Sequence, residues 1–131
     1  MKFMLILIGD EGGWEEDVTP EEMQAEMKRW TDYGQALRDA GAHIASEPLQ
    51  ESATAKTVRF GEGDERLVTD GPYAESKEQV GGFYLIDVAD QAEAIEWAKK
   101  VPQRSGSIEV RPIMDFTQYG SESPTEAQAT A

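Results

Sequence analysis

Two segments of this chain are apolar on both sides of the backbone, and this restricts its possible folds more than any other feature of the sequence. In Lys2 to Ile8, Phe3, Leu5 and Leu7 occupy one alternation and Met4, Ile6 and Ile8 the other. In Gln79 to Val88, the run Phe83, Tyr84, Leu85, Ile86 and Val88 again populates both. Successive strand side chains point to opposite faces, so each segment predicts a central β-strand that needs cover in front and behind. Neither run approaches the ~20 apolar residues of a membrane span. Phe3 to Ile8 also meets Gly9, Asp10 and Glu11 without the length or cleavage site of a secretory segment, so a cytoplasmic location is expected.

Between these strands the sequence alternates helix and strand signals. Thr19 suits an N-cap, Pro20 a first helical position, and Glu22, three residues after Thr19, completes a capping box. Met23, Met27, Trp30, Leu37 and Ala40 recur at helical spacing and predict the buried stripe, with Gly41 as the stop. Ala42 to Glu47 alternates like a strand and is ended by Pro48. Lys56 to Phe60 and Glu65 to Thr69 flank Gly61-Glu62-Gly63-Asp64 and predict a hairpin, after which Asp70-Gly71-Pro72 imposes a turn. Asp90 with Glu93 opens a second helix whose apolar part is Ala94, Ile95, Trp97, Ala98 and Val101, closed by Pro102. Ser107 to Met114 is the last predicted strand.

Setting the hairpin aside leaves β-α-β-β-α-β, an α+β class domain with the split order of a ferredoxin-like fold plus an extra β-hairpin. At 131 residues there is room for one domain, expected over 1–118, with 119–131 as a flexible tail lacking apolar periodicity. Two helices can roof one face of the sheet. The second apolar face calls for another cover, and a second copy supplies it with one self-complementary patch. The expected assembly is a homodimer, a dimeric α+β barrel enclosing space between two sheets.

Charge and composition narrow the partners. Twenty-six acidic against 12 basic residues give a formal charge of -14, which repels phosphate backbones and anionic lipids; neither nucleic acid nor membrane is an expected partner. Without cysteine there is no disulfide, thiolate zinc site, iron–sulfur cluster or cysteine nucleophile, and one histidine offers little to a metal. No metal or cofactor is expected. Gly81-Gly82 lacks a phosphate-loop or dinucleotide pattern and predicts a bulge or a close backbone approach.

The most distinctive stretch is Asp70-Gly71-Pro72-Tyr73-Ala74-Glu75-Ser76-Lys77-Glu78. As a plain turn, Asp70 bonds local backbone, Tyr73 anchors the loop and the charges face water. As a site, Asp70, Tyr73, Glu75, Lys77 and Glu78 meet a ligand at the mouth of the cavity, where burial would fit Glu75 and Lys77 for acid–base work. His43 is the third acid–base candidate. Regular alternation puts it on the same face as Glu47 but about 13 Å away at ~3.3 Å per residue, out of reach. Arg111 shares a face with Glu109; its planar fork suits either a ligand carboxylate or that neighbour.

Over residues 2 to 114 the chain resembles the YCII-related family, in its DGPF branch. The resemblance lies in Asp70-Gly71-Pro72-Tyr73 with Glu75-Ser76-Lys77-Glu78-Gln79, in Gly81-Gly82-Phe83-Tyr84, in Ala94-Ile95-Glu96-Trp97-Ala98 and in Glu109-Val110-Arg111-Pro112. Tyr73 stands in place of the phenylalanine of the branch name. The resemblance implies a ferredoxin-like fold and a dimeric α+β barrel. Small family members carry a proposed catalytic histidine in the first helix and an aspartate before the proline that follows the second. Those positions fall on Trp30 and Val101 here, so that activity is not carried over. Neighbouring genes in the branch also imply an extracytoplasmic-function sigma factor as a partner. Three readings therefore stand: a small-molecule binding protein with an accessory or regulatory role, a lyase- or isomerase-type enzyme using His43, Glu75 or Lys77, and a sigma-factor partner.

Overall fold

The computed structural model describes residues 1–10, 18–72 and 78–119. Its elements are β1 (Lys2–Asp10), α1 (Pro20–Asp39), β2 (His43–Pro48), β3 (Lys56–Phe60), β4 (Arg66–Asp70), β5 (Glu78–Asp87), α2 (Gln91–Lys99) and β6 (Ser107–Pro112). Four strands form an antiparallel sheet in the order β2-β5-β1-β6, and β3 and β4 form a separate two-stranded sheet. The two strands with apolar residues on both faces, β1 and β5, are the central pair. The fold is thus α+β with two helices, as the alternation of patterns requires.

Register explains which residues are dry. Phe3, Leu5 and Leu7 stand opposite Ile86, Tyr84 and Gly82 on β5 and opposite Pro112, Val110 and Ile108 on β6. This face meets Tyr33 and Leu37 of α1 and Ala94 of α2 to form the core, with Phe3, Leu5, Leu37 and Ile86 fully buried. Met4 and Ile6 point the other way, opposite Leu85 and Phe83, and all four remain half-buried in the single chain.

The helix starts follow their caps. Thr19 Oγ1 accepts from the Glu22 N–H at 3.1 Å, and Asp90 Oδ1 from the Glu93 N–H at 2.9 Å. Glu93 in turn accepts from the Ala89 N–H at 2.8 Å. The buried stripe of α1 differs from the expected one. Its inner residues are Glu26, Tyr33, Gly34 and Leu37, while Met27 is 61% exposed, Met23 is 41% exposed and Ala40 also faces outward. At 3.6 residues per turn Met27 lies well around the helix from the line through Glu26, Tyr33 and Leu37. A polar face could turn inward because Glu26 has partners there: Arg29 donates to it, Arg104 Nη2 donates at 2.9 Å and Trp30 Nε1 at 3.3 Å. Ile95 of α2 likewise proves 41% exposed, leaving Ala94 as that helix's buried residue.

Two irregularities shape the end of the sheet where β5 begins. Between Leu7 and Ile8 the β1–β5 register slips, so Gly81 is an extra residue on β5. Beside it, a Cβ on Gly82 would stand 2.9 Å from the Glu47 carbonyl oxygen, so glycine is what permits β2 and β5 to approach there. Both roles anticipated for Gly81-Gly82 are therefore present. A second slip lies between His43 and Ala45 on β2, leaving Ile44 extra.

Candidate functional site

The slip on β2 reverses side-chain parity along that strand. His43 pairs with Ile86 and Ser46 with Tyr84, both on the helix side, whereas Glu47 pairs with Phe83 on the open side. His43 and Glu47 thus lie on opposite faces, contrary to regular alternation. In compensation His43 and Ser46 come together, with Nε2 and Oγ 2.8 Å apart.

Ser46 borders a cavity of about 640 Å³, within the size range of small-molecule sites. It opens at the Gly81 end of the sheet on the side covered by α1. Leu7, Gly82 and Tyr84 contribute from the sheet and Trp30 from α1; the strand end and loop from Glu47 to Glu51 form the rim, and Gln103 lies opposite. The walls are braced from behind. Glu26, held by Arg29 and Arg104, ties down the Trp30 indole N–H, and Tyr33 packs edge-on to Tyr84 with ring centroids 5.1 Å apart. Gln103 Nε2 donates to the carbonyls of Ile8 at 2.9 Å, Ser105 at 2.7 Å and Ser107 at 3.3 Å.

Electrostatics separate the wall from its supports. Burial would raise the Glu26 carboxyl, but hydrogen bonds from Arg29, Arg104 and Trp30 outweigh it and hold the group below its ordinary value. Burial pushes the Tyr84 phenol up, opposed by the nearby Arg38, so the phenol stays protonated at neutral pH. Among the described residues the cavity is lined by Asp10, Glu47 and Glu51 but by no lysine or arginine.

The other expected site residues are dispersed. Asp70 ends β4 on the separate ribbon, 86% exposed by side chain and ion-paired with Lys56. Glu78 begins β5, exposed and opposite Asp10. Arg111 lies on β6 at the far edge of the sheet, its Nη2 donating to Glu109 Oε1 at 2.7 Å, so the pair within the strand is the one formed. His43 reaches the cavity only through Ser46. Tyr73, Glu75 and Lys77 lie outside the described residues. Ser46, Gln103, Trp30 and Glu26 carry the site but announce themselves weakly: a serine, a glutamine, a helix tryptophan and one acid among many. Among the described residues no three His, Asp or Glu side chains converge as a metal site, and no helix is long and apolar enough to cross a membrane.

The YCII-related domain family matches residues 1–117. The chain belongs to the YCII-related family. It is also similar to an uncharacterized protein of Rhizobium meliloti (strain 1021), 46% identical over 68 residues, which are 50% of this chain and 54% of that one. The chain spans about half the length of this curated relative. Within the family, the Trp30 position now has a described setting: this YCII-related protein puts an indole, tethered through its N–H, in the cavity wall.

Proposed function

We propose that this YCII-related protein binds a small molecule in the cavity beside Trp30 and Tyr84 and serves an accessory or regulatory role in the cytoplasm. The cavity carries this reading: one chain builds it from braced aromatic and backbone surfaces. The protein acts as a homodimer in which two ferredoxin-like subunits place their open faces together as an α+β barrel. The sheet order β2-β5-β1-β6 and the half-buried Met4, Ile6, Phe83 and Leu85 support that arrangement, since an apolar sheet face needs a complement. Partnership with an extracytoplasmic-function sigma factor fits the accessory role and is tested by co-purification from cells.

A lyase- or isomerase-type activity is the second reading, favoured by the contact of His43 with Ser46 on the cavity wall. It requires that His43→Ala abolish turnover without weakening binding.

The primary test is a thermal-shift screen of small metabolite-like compounds against the native protein and Gly81→Val. A Cβ at Gly81 meets nothing within 4 Å, so valine should occupy cavity space without disturbing the fold. Compounds that raise the melting temperature of the native protein and not of Gly81→Val support the reading. Stabilisation that survives in the variant overturns it.

A further inference from the structure

The contact between His43 and Ser46 carries a more specific chemistry, on the premise that the cavity beside it is a ligand site. We infer that Ser46 is a nucleophile activated by His43, and that the cavity takes an uncharged ester of a phenol or enol, whose acyl group passes to Ser46 and then to water.

A bulge builds the pair. On a regular strand, residues three apart point to opposite faces and stand about 10 Å from one another. Ile44, extra on β2, re-aims His43 so that both side chains lie on the helix side, with Nε2 and Oγ 2.8 Å apart. With the ring proton on Nδ1, Nε2 accepts from the hydroxyl, the arrangement that activates a serine. The order of the two groups then decides what they can do. Ser46 lines the cavity, whereas the half-buried His43 does not. A base that draws a proton from a substrate carbon has to face the substrate itself, and here a hydroxyl stands between them. Attack by Oγ is the step this order allows.

The cavity supplies what else the reaction needs. Tyr84 is paired with Ser46 across the strands on the same face, at a Cβ separation of about 5 Å, and it also lines the cavity. Its phenol keeps its proton and can donate to the oxygen of a carbonyl attacked at Ser46. Leu7 and the Trp30 ring offer apolar surface to a flat group, and the described lining holds no lysine or arginine for an anionic one. His43 does not line the space in which the leaving group lies, so the group that suits the site departs without a proton, as a phenolate or enolate does. In the first step Oγ bonds to the acyl carbon, the bond from that carbon to the leaving oxygen breaks with its electron pair on the oxygen, and the Oγ proton passes to Nε2 and on to solvent. In the second, water gives a proton to Nε2 as its oxygen bonds to the acyl carbon; the bond to Oγ breaks, Oγ takes that proton back and the acid is freed.

The test gives the full chain two probes: 4-nitrophenyl acetate, read by release of nitrophenolate, and phenylmethanesulfonyl fluoride, whose sulfonyl group stays on an activated serine and is located by peptide mass spectrometry. The native protein should hydrolyse the ester and carry the sulfonyl group on Ser46. Ser46→Ala and His43→Ala should each lose the hydrolysis, and His43→Ala the label. Tyr84→Phe, which keeps the ring in the wall, should slow hydrolysis about a hundredfold. Melting temperatures close to the native value show that the variants are folded. Hydrolysis that survives in Ser46→Ala and disappears in His43→Ala is the imidazole acting alone and overturns the inference. Neither hydrolysis nor label also overturns it, and leaves the cavity as a binding site if compounds from the thermal-shift screen still stabilise the native protein and not Gly81→Val. A folded Gly81→Val labelled on Ser46 as fast as the native protein refutes the cavity as the place where the acyl group lies.

Discussion

Replacing Gly106 by alanine should be the most damaging single-methyl change that the described backbone allows. Gly106 has φ +86°, in the left-handed region where an L side chain is strained by about 1–3 kcal/mol. The added Cβ would stand 2.2 Å from the Ile8 carbonyl oxygen, 2.9 Å from Gly9 Cα and 3.0 Å from Gln103 Nε2. Restoring an ordinary carbon–oxygen contact requires a retreat of about 1 Å. The retreating carbonyl is the one that accepts from Gln103 and belongs to the residue paired with Ser107, so about 1 kcal/mol of hydrogen bonding goes with it. With overpacking of about 1–3 kcal/mol, the expected loss is about 3–7 kcal/mol, a large part of a typical domain's stability. Gly81→Ala is the matched control. It adds the same methyl where nothing lies within 4 Å and φ is not left-handed, so its effect should stay within about 1 kcal/mol. Urea unfolding followed by far-UV circular dichroism measures both, and the Gly106→Ala melting temperature should fall by about 10 °C or more. A Gly106→Ala protein as stable as the native one, or a Gly81→Ala protein equally damaged, refutes the reasoning.

Three further outcomes are expected. Glu26→Gln should cost about 1–2 kcal/mol at neutral pH through its weakened bonds to Arg29 and Arg104, whose exposure to solvent limits the loss. The folded carboxyl sits below its ordinary 4.5, so the unfolded chain takes up the proton first. The Glu26 contribution is full above that value and fades as pH falls through the folded one; acid titration of stability should show a shallower limb in the variant. Burial, with Tyr84 adding to it, pushes the Tyr33 phenol up, and its hydroxyl donates to the Trp97 carbonyl at 2.9 Å. Tyr33→Phe should therefore cost about 1 kcal/mol at neutral pH in denaturant unfolding. It should also remove the part of the alkaline stability loss that begins where unfolded tyrosine ionises, near pH ~10. Ile6→Asp, on the open face opposite Phe83 and Glu109, should yield a folded monomer by analytical ultracentrifugation at a micromolar concentration at which the proposed assembly makes the native chain a dimer; a monomeric native chain would contradict that assembly.

The fold was readable where periodicity and turn chemistry agreed. The two-faced strands became the central pair, Thr19 and Asp90 became caps, and the hairpin formed at its glycines. Reading failed where one residue altered the phase. Ile44 is extra on β2, and that slip separates His43 from Glu47 while joining His43 to Ser46, an outcome alternation cannot express. On α1 the apolar count favoured Met23 and Met27, whereas Glu26 turned inward because arginines from two segments, one of them 78 residues away, reach it. The Asp-Gly-Pro turn identified the family, yet the described cavity lies elsewhere, made of side chains whose meaning comes from who their partners are. A glutamine that crosslinks three carbonyls looks in sequence like any other glutamine.

The ribbon of β3 and β4 shares no ladder with the four-stranded sheet, and Val58, Val68, Leu67 and the 75% exposed Phe60 stand out from it. A lone pair of strands holds itself only marginally in water. Amide protons along Lys56–Asp70 should therefore trade with deuterium through openings that leave the larger sheet shut, giving one small chain two tiers of cooperativity. Selection can rework the outer tier, in length or in side chains, at little risk to the inner one.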